Sequence, residues 1–146
     1  MSLFVATLAL APGCDSCPAQ SCGPPLILRL DLPATVQLGN EVVACHLDTC
    51  ATAHLLASGT PDSYADLSFS TGDSVTGWVK KRADGSLQLM VSWVVPPAQG
   101  DRYTLTVSDA AGAELASLDV TATLPSASMS SGGCPMYVTL YLGDPA

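Results

Sequence analysis

The run Gly100-Asp101-Arg102-Tyr103-Thr104-Leu105-Thr106-Val107-Ser108-Asp109-Ala110-Ala111-Gly112, continued by residues 113–124, decides the fold. Tyr103, Leu105 and Val107 fall on one face of an extended segment, and Thr104, Thr106 and Ser108 on the other. Successive side chains of a strand point to opposite sides, so this is a half-buried strand. Past the turn at Gly112, Leu118, Val120, Ala122 and Leu124 alternate in the same way with Asp119, Thr121 and Thr123. The two segments predict an antiparallel hairpin with one face on a core.

The same alternation recurs along the chain. Leu26, Leu28, Leu30 and Leu32 alternate with Ile27, Arg29 and Asp31 until Pro33 ends the strand. In 86–95, Leu87, Leu89, Val91, Trp93 and Val95 share a face, and Ala83-Asp84-Gly85 supplies the turn before them. Further strands are expected over 41–45, 50–56, 66–70, 74–81 and 136–142. No segment carries a helical apolar period. Short strands separated by Gly, Pro, Asp and Ser turns predict an all-β, antiparallel β-sandwich occupying 26–146 as one domain.

Five basic residues stand against thirteen acidic ones, a formal net charge of −8. A surface for nucleic acid needs clustered Lys and Arg, so that partner is excluded, and adsorption to anionic lipid through charge is disfavoured. Lys80-Lys81-Arg82, followed by Ala83-Asp84-Gly85, reads as a solvated hairpin tip.

The apolar run 3–11 is too short to span a bilayer, which takes about 20 residues, and suits the apolar region of an export signal. Residues 1–13 are therefore expected to be that signal. The small residues before Cys14 match a bacterial lipoprotein cleavage site, although Pro12 and the lack of a preceding Lys or Arg depart from it. Cys14 is then the acylated residue and 14–25 a disordered Cys/Pro-rich tether. Six cysteines fit an oxidising compartment. Cys45 and Cys50 are expected to face each other across a hairpin with the four-residue turn 46–49 and to form a disulfide. Pairings of the remaining cysteines stay open.

The run from Gly100 to Gly112 resembles the late strand pair of bacterial immunoglobulin-like and PKD-like domains, where Tyr-Thr-Leu-Thr-Val-x-Asp-x-x-Gly is common. The resemblance implies an immunoglobulin-like sandwich with Tyr103 at the tyrosine-corner position. It also puts Leu105 where immunoglobulins carry a core cysteine, and Trp93 or Trp78 in the place of the core tryptophan. The layout as a whole is similar to small exported bacterial lipoproteins and implies no particular activity.

Several constellations bear on chemistry. Cys45, His46, Cys50 and His54 have the residue types of a zinc or copper site. In strands, however, Cys45 and His46 point apart, and Cys50 and His54 lie roughly 13 Å apart along one face. A disulfide with two surface histidines is the expectation. Met129, Cys134 and Met136 resemble a copper ligand set only loosely, with no histidine in place. Cys14-Asp15-Ser16-Cys17 has dithiol spacing but no helix to activate it. Asp62, Asp66 and Asp73 read as turn formers rather than a calcium site. There is no G-x-S-x-G or H-E-x-x-H motif. Trp78 with Tyr64, Tyr137 or Tyr141 has the makings of a sugar- or peptide-binding platform, but aromatics are only 5% of the chain and core packing is expected to take most of them.

The expectation is a noncatalytic binding or structural module without cofactor. It is exported to the cell envelope or beyond, anchored to the membrane only through Cys14, and contacts an envelope protein or glycan. A copper- or zinc-binding protein and an envelope hydrolase are the alternatives.

Overall fold

The structure, a computed structural model, describes residues 26–55, 64–70, 74–124, 128–129, 135–136 and 139–145. The expected signal and tether, with Cys14, Cys17, Cys22, Cys134, Asp62, Asp73 and Tyr137, lie outside them. The described chain forms β1 (Leu26–Leu32), β2 (Glu41–His46), β3 (Thr49–His54), β4 (Tyr64–Leu67), β5 (Val75–Lys81) and β6 (Leu87–Trp93). It continues with β7 (Arg102–Ser108), β8 (Glu114–Thr121), β9 (Ser128–Met129), β10 (Pro135–Met136) and β11 (Leu140–Gly143). The fold is all-β, in two mostly antiparallel sheets. A five-stranded sheet has the order β11-β1-β6-β5-β4, a four-stranded one β3-β2-β7-β8, and β9 pairs with β10 in a small ribbon.

Alternation fixes which face of each sheet turns inward. Leu26, Leu28, Leu30 and Leu32 of β1, with Leu89 and Val91 of β6, meet Val42, Ala44, Tyr103, Leu105 and Val107 of the other sheet in one core. Large leucines of one layer and small alanines (Ala44, Ala51 and Ala53) of the other belong to this same buried cluster. Each leucine buried this way contributes about 1.5–3 kcal/mol. Gly77, in the middle of β5, leaves room for the Phe69 ring: a Cβ there would come within 2.7 Å of Phe69 Cε2.

Three expectations are corrected. The hairpin of β2 and β3 turns in two residues, not four, because His46 and Thr49 still pair. Leu47 takes a left-handed φ of 53° to allow it. The strand expected at 66–70 lies at Tyr64–Leu67 instead. The chain then leaves that sheet, and Ser70 donates its backbone N–H to the Thr52 carbonyl on the edge of the other one, at 2.9 Å. The segment 136–142 is not one antiparallel strand. Its start belongs to β10, and β11 lies parallel to β1, with Leu26 opposite Leu140 and Arg29 opposite Gly143.

The parallel edge is fastened at its end by polar groups. Asp144 N–H donates to the Arg29 carbonyl at 2.9 Å, and Asp31 N–H to Asp144 Oδ2 at 2.7 Å. Gln88, fully buried although it points to the outer side, donates Nε2 to Asp31 Oδ1 and to the Pro145 carbonyl, both at 2.8 Å. Arg82 adds an ion pair to the same Asp31 oxygen at 2.7 Å.

Gly143 permits this closure. Its φ is +96°, and a Cβ there would run into the Arg29 carbonyl oxygen and press on Leu118 Cδ2 at 2.8 Å. Backbone cannot yield as a side-chain tip can, and the left-handed φ adds its own penalty. Gly143→Ala is therefore expected to cost at least about 2 kcal/mol. Urea denaturation checks this, and a midpoint equal to that of the wild type would refute the assignment of β11 to this edge.

Candidate functional site

Two places on the described molecule gather chemistry. The first is the outer face of the five-stranded sheet. Register puts Arg29, Met90, Trp78 and Asp66 in one row across β1, β6, β5 and β4, and Asp31, Gln88, Lys80 and Tyr64 in the next. Tyr141 sits one row to the other side, opposite Ile27. Tyr64 is 57% exposed and Tyr141 49%; Trp78 is half-buried. The Arg29 guanidinium lies 4.3 Å from the Tyr141 ring centre and Lys80 Nζ 6.0 Å from that of Tyr64. Both cations are held over ring faces, where the π quadrupole attracts them. Trp78, Tyr64 and Tyr141 thus share one outer surface rather than the core; Tyr137 lies outside the described residues.

The second place is the end of the molecule where β2, β6 and β7 finish or begin. His46 and Tyr103 are cross-strand partners, with rings stacked at 4.6 Å and 6°. Trp93 from the opposite sheet tilts against Tyr103 at 4.8 Å. The sequence predicts a surface histidine at His46. It is part-buried because it continues the inward face of Val42 and Ala44, a signal present in the alternation itself. The loop before β7 then brings Asp101, whose Oδ2 accepts from His46 Nε2 at 2.8 Å. Burial pushes the Asp101 carboxyl up, but the Ala98 backbone N–H and the His46 ring outweigh it and hold it below the usual carboxylate range. Beside this cluster, a pocket of about 190 Å³ opens between the sheets, lined by His46, Thr49, Cys50, Ser74, Trp93 and Val95 among others.

The four residues with a metal-like spacing do not converge. Cys45 and Cys50 are bonded to each other, with Cα atoms 4.1 Å apart and facing as register requires. Their outer side of the sheet is the one His54 shares, whereas His46 turns inward to Asp101. Among the described residues, no group of three or more His, Cys, Asp or Glu side chains could hold a metal ion. Met129 stands opposite Pro135 in the β9–β10 ribbon. Trp93 takes the interior place and Trp78 the exterior one.

Tyr103 departs from a tyrosine corner. Its hydroxyl is buried without a hydrogen-bond partner among the described residues. Burial first, and then the Asp101 charge, raises its pKa from 10.0 to about 12. The folded state thus holds the phenol proton more tightly than the unfolded chain. The associated stability is complete below pH 10 and is lost as pH rises toward 12. The unfolding free energy is expected to fall by up to about 3 kcal/mol over that window. In Tyr103→Phe the fall disappears, and at neutral pH the variant gains about 1 kcal/mol, because a desolvated, unpaired hydroxyl is removed. Denaturation curves measured at a series of pH values test both statements; a Phe variant less stable than wild type at pH 7 would mean that the hydroxyl is bonded.

No family model matches this chain, and no curated protein or solved structure does either, so the chemistry of both places rests on their own residues.

Proposed function

We propose that this chain is a noncatalytic binding module of the bacterial cell envelope, an immunoglobulin-like sandwich tethered to the membrane through a lipid on Cys14. It engages an envelope protein or glycan through the outer face of its five-stranded sheet. The observation that carries the reading is the concentration of aromatic side chains there. The chain has two tryptophans, four tyrosines and two phenylalanines. Trp78, Tyr64 and Tyr141 all lie on this one outward face rather than in the core. Aromatic rings with one wet side are the groups that most often anchor contacts.

Strand order supports the immunoglobulin-like assignment. An immunoglobulin domain places strands A, B, E and D in one sheet and C, F and G in the other, with C′ added in variable domains. Reading β1 as B, β2 as C and β3 as C′ makes β5, β6, β7 and β8 the strands D, E, F and G. The orders β1-β6-β5 and β3-β2-β7-β8 then correspond to B-E-D and C′-C-F-G. Tyr103 falls near the start of F, two residues before Leu105 in the place of the second core cysteine. The departures lie at both edges: β11 stands beside β1 in the place of strand A and runs parallel to it, and β4 adds a strand beyond β5.

The test joins the two halves of the proposal. When the full chain is expressed in a bacterium, the mass of the membrane fraction is expected to show Cys14 as an acylated first residue. Trp78→Ala is expected to reduce retention on delipidated envelope fractions at least about fivefold, while the variant keeps the circular dichroism spectrum of the folded sheet, the half-buried ring costing about 2 kcal/mol of stability. Unchanged retention would remove the outer face as the contact surface, and an unacylated Cys14 would remove the anchor.

A further inference from the structure

We infer that the outer face of the five-stranded sheet is built to hold an acidic polysaccharide, laid along the diagonal from Tyr141 across Trp78 to Tyr64. The inference rests on the binding role proposed for this face and names its ligand class. Register sets the geometry. Tyr141, Trp78 and Tyr64 occupy successive rows on the first, fourth and fifth strands of the sheet. With strands about 4.8 Å apart and about 6.6 Å between rows, the diagonal spans about 23 Å. That length suits an extended chain rather than a small molecule.

Charge selects the kind of chain. Four of the five basic residues (Arg29, Lys80, Lys81 and Arg82) belong to the five-stranded sheet and its turns. Its described acids are largely committed within the fold. Asp31 is paired with Arg82, Asp144 accepts from the Asp31 backbone, and Asp84 is bound by Ser86, leaving Asp66 beside Trp78. No carboxylate among the described residues forms an ion pair with Arg29, Lys80 or Lys81. The opposite sheet and its turns carry Glu41, Asp48, Asp101, Asp109, Glu114 and Asp119 against Arg102 alone. A chain with net charge −8 thus holds one face near neutrality and leaves Arg29 and Lys80 there without an ion pair among the described residues.

These cations stand where a sugar acid needs them. Arg29 lies against Tyr141 at one end of the diagonal and Lys80 against Tyr64 at the other. Each pair offers a ring to stack on a pyranose and a cation to meet its carboxylate or sulfate, with Trp78 between. A neutral glycan would leave both cations unused. An anionic bilayer would confront the charge of the whole molecule. A thin chain on the diagonal feels only charges within about one Debye length, roughly 8 Å at physiological salt.

Isothermal titration of the intact protein with polygalacturonate, hyaluronan, neutral dextran and phosphatidylglycerol vesicles, in chelator-containing buffer, tests the assignment. At least one acidic polymer is expected to bind about tenfold or more tighter than dextran, and vesicles weakly or not at all. Trp78→Ala is expected to weaken that binding about tenfold. Lys80→Gln weakens it about threefold at low salt, a difference that vanishes near 0.5 M salt, where screening is about 4 Å. Binding of dextran equal to that of both acidic polymers, tighter binding to vesicles, failure to bind either acidic polymer, or indifference to both substitutions overturns the inference. If polymer binding fails while Trp78→Ala still lowers envelope retention, the ligand class is wrong and the contact face stands. If both fail, the binding face itself is wrong.

Discussion

A strand gives each side chain one of two directions, and along the middle of every long strand here the inward direction belongs to apolar groups. Leu28, Leu89, Val42, Leu105 and Val107 are all completely buried. A polar group placed among them without a partner would cost on the order of 1–3 kcal/mol, so chemistry is confined to the outer faces and the strand ends. Both places described above obey that confinement. The aromatic face is the outer half of the alternation in β1, β4, β5, β6 and β11, and the His46 cluster sits where inward-facing strands run out.

That cluster shows what a strand end can hold. His46 fills the step between Tyr103 and Trp93 with a flat ring, and its nitrogen is satisfied by a carboxylate from a loop distant in sequence. The ring thereby serves as a joint between the two layers. The phenol of Tyr103 bears the cost, buried and without a hydrogen-bond partner among the described residues. A buried hydroxyl of this kind is tolerated because the ring that carries it contributes far more by packing than the oxygen loses.

The legible part of the fold was the part written in period two. Strands at 26–32, 74–81, 86–95 and 102–108 could be read from alternation alone, and Cys45 opposite Cys50 followed from a hairpin between two alternating segments. What alternation could not convey was partnership. Nothing in Leu140-Tyr141-Leu142-Gly143 says that it will run parallel beside β1, because parallel and antiparallel strands present the same side-chain period. The turn at Leu47 was misjudged because a non-glycine residue took a left-handed φ, which composition argues against. The platform of Trp78, Tyr64 and Tyr141 was foreseeable as a set of residues but not as a surface, since four separate strand pairings align it. Asp101 was missed as the partner of His46 because 55 positions separate them and only folding joins them.

The disulfide of the first hairpin has a consequence beyond stability. It closes a span of five positions, so the chain-entropy gain is only about 2 kcal/mol. A slip of the edge strand β3 by one residue against β2 would turn Ala51 and Ala53 to water and is forbidden by hydrophobicity. A slip of two would keep every apolar side chain inward, and only the two-residue turn opposes it within the alternation. The sulfur–sulfur bond reinforces that turn: it makes one of two nearly equivalent alignments covalent. The imidazole beside Cys45 meets the phenol ring and the distant carboxylate through the other edge of the same strand, where β2 pairs with β7.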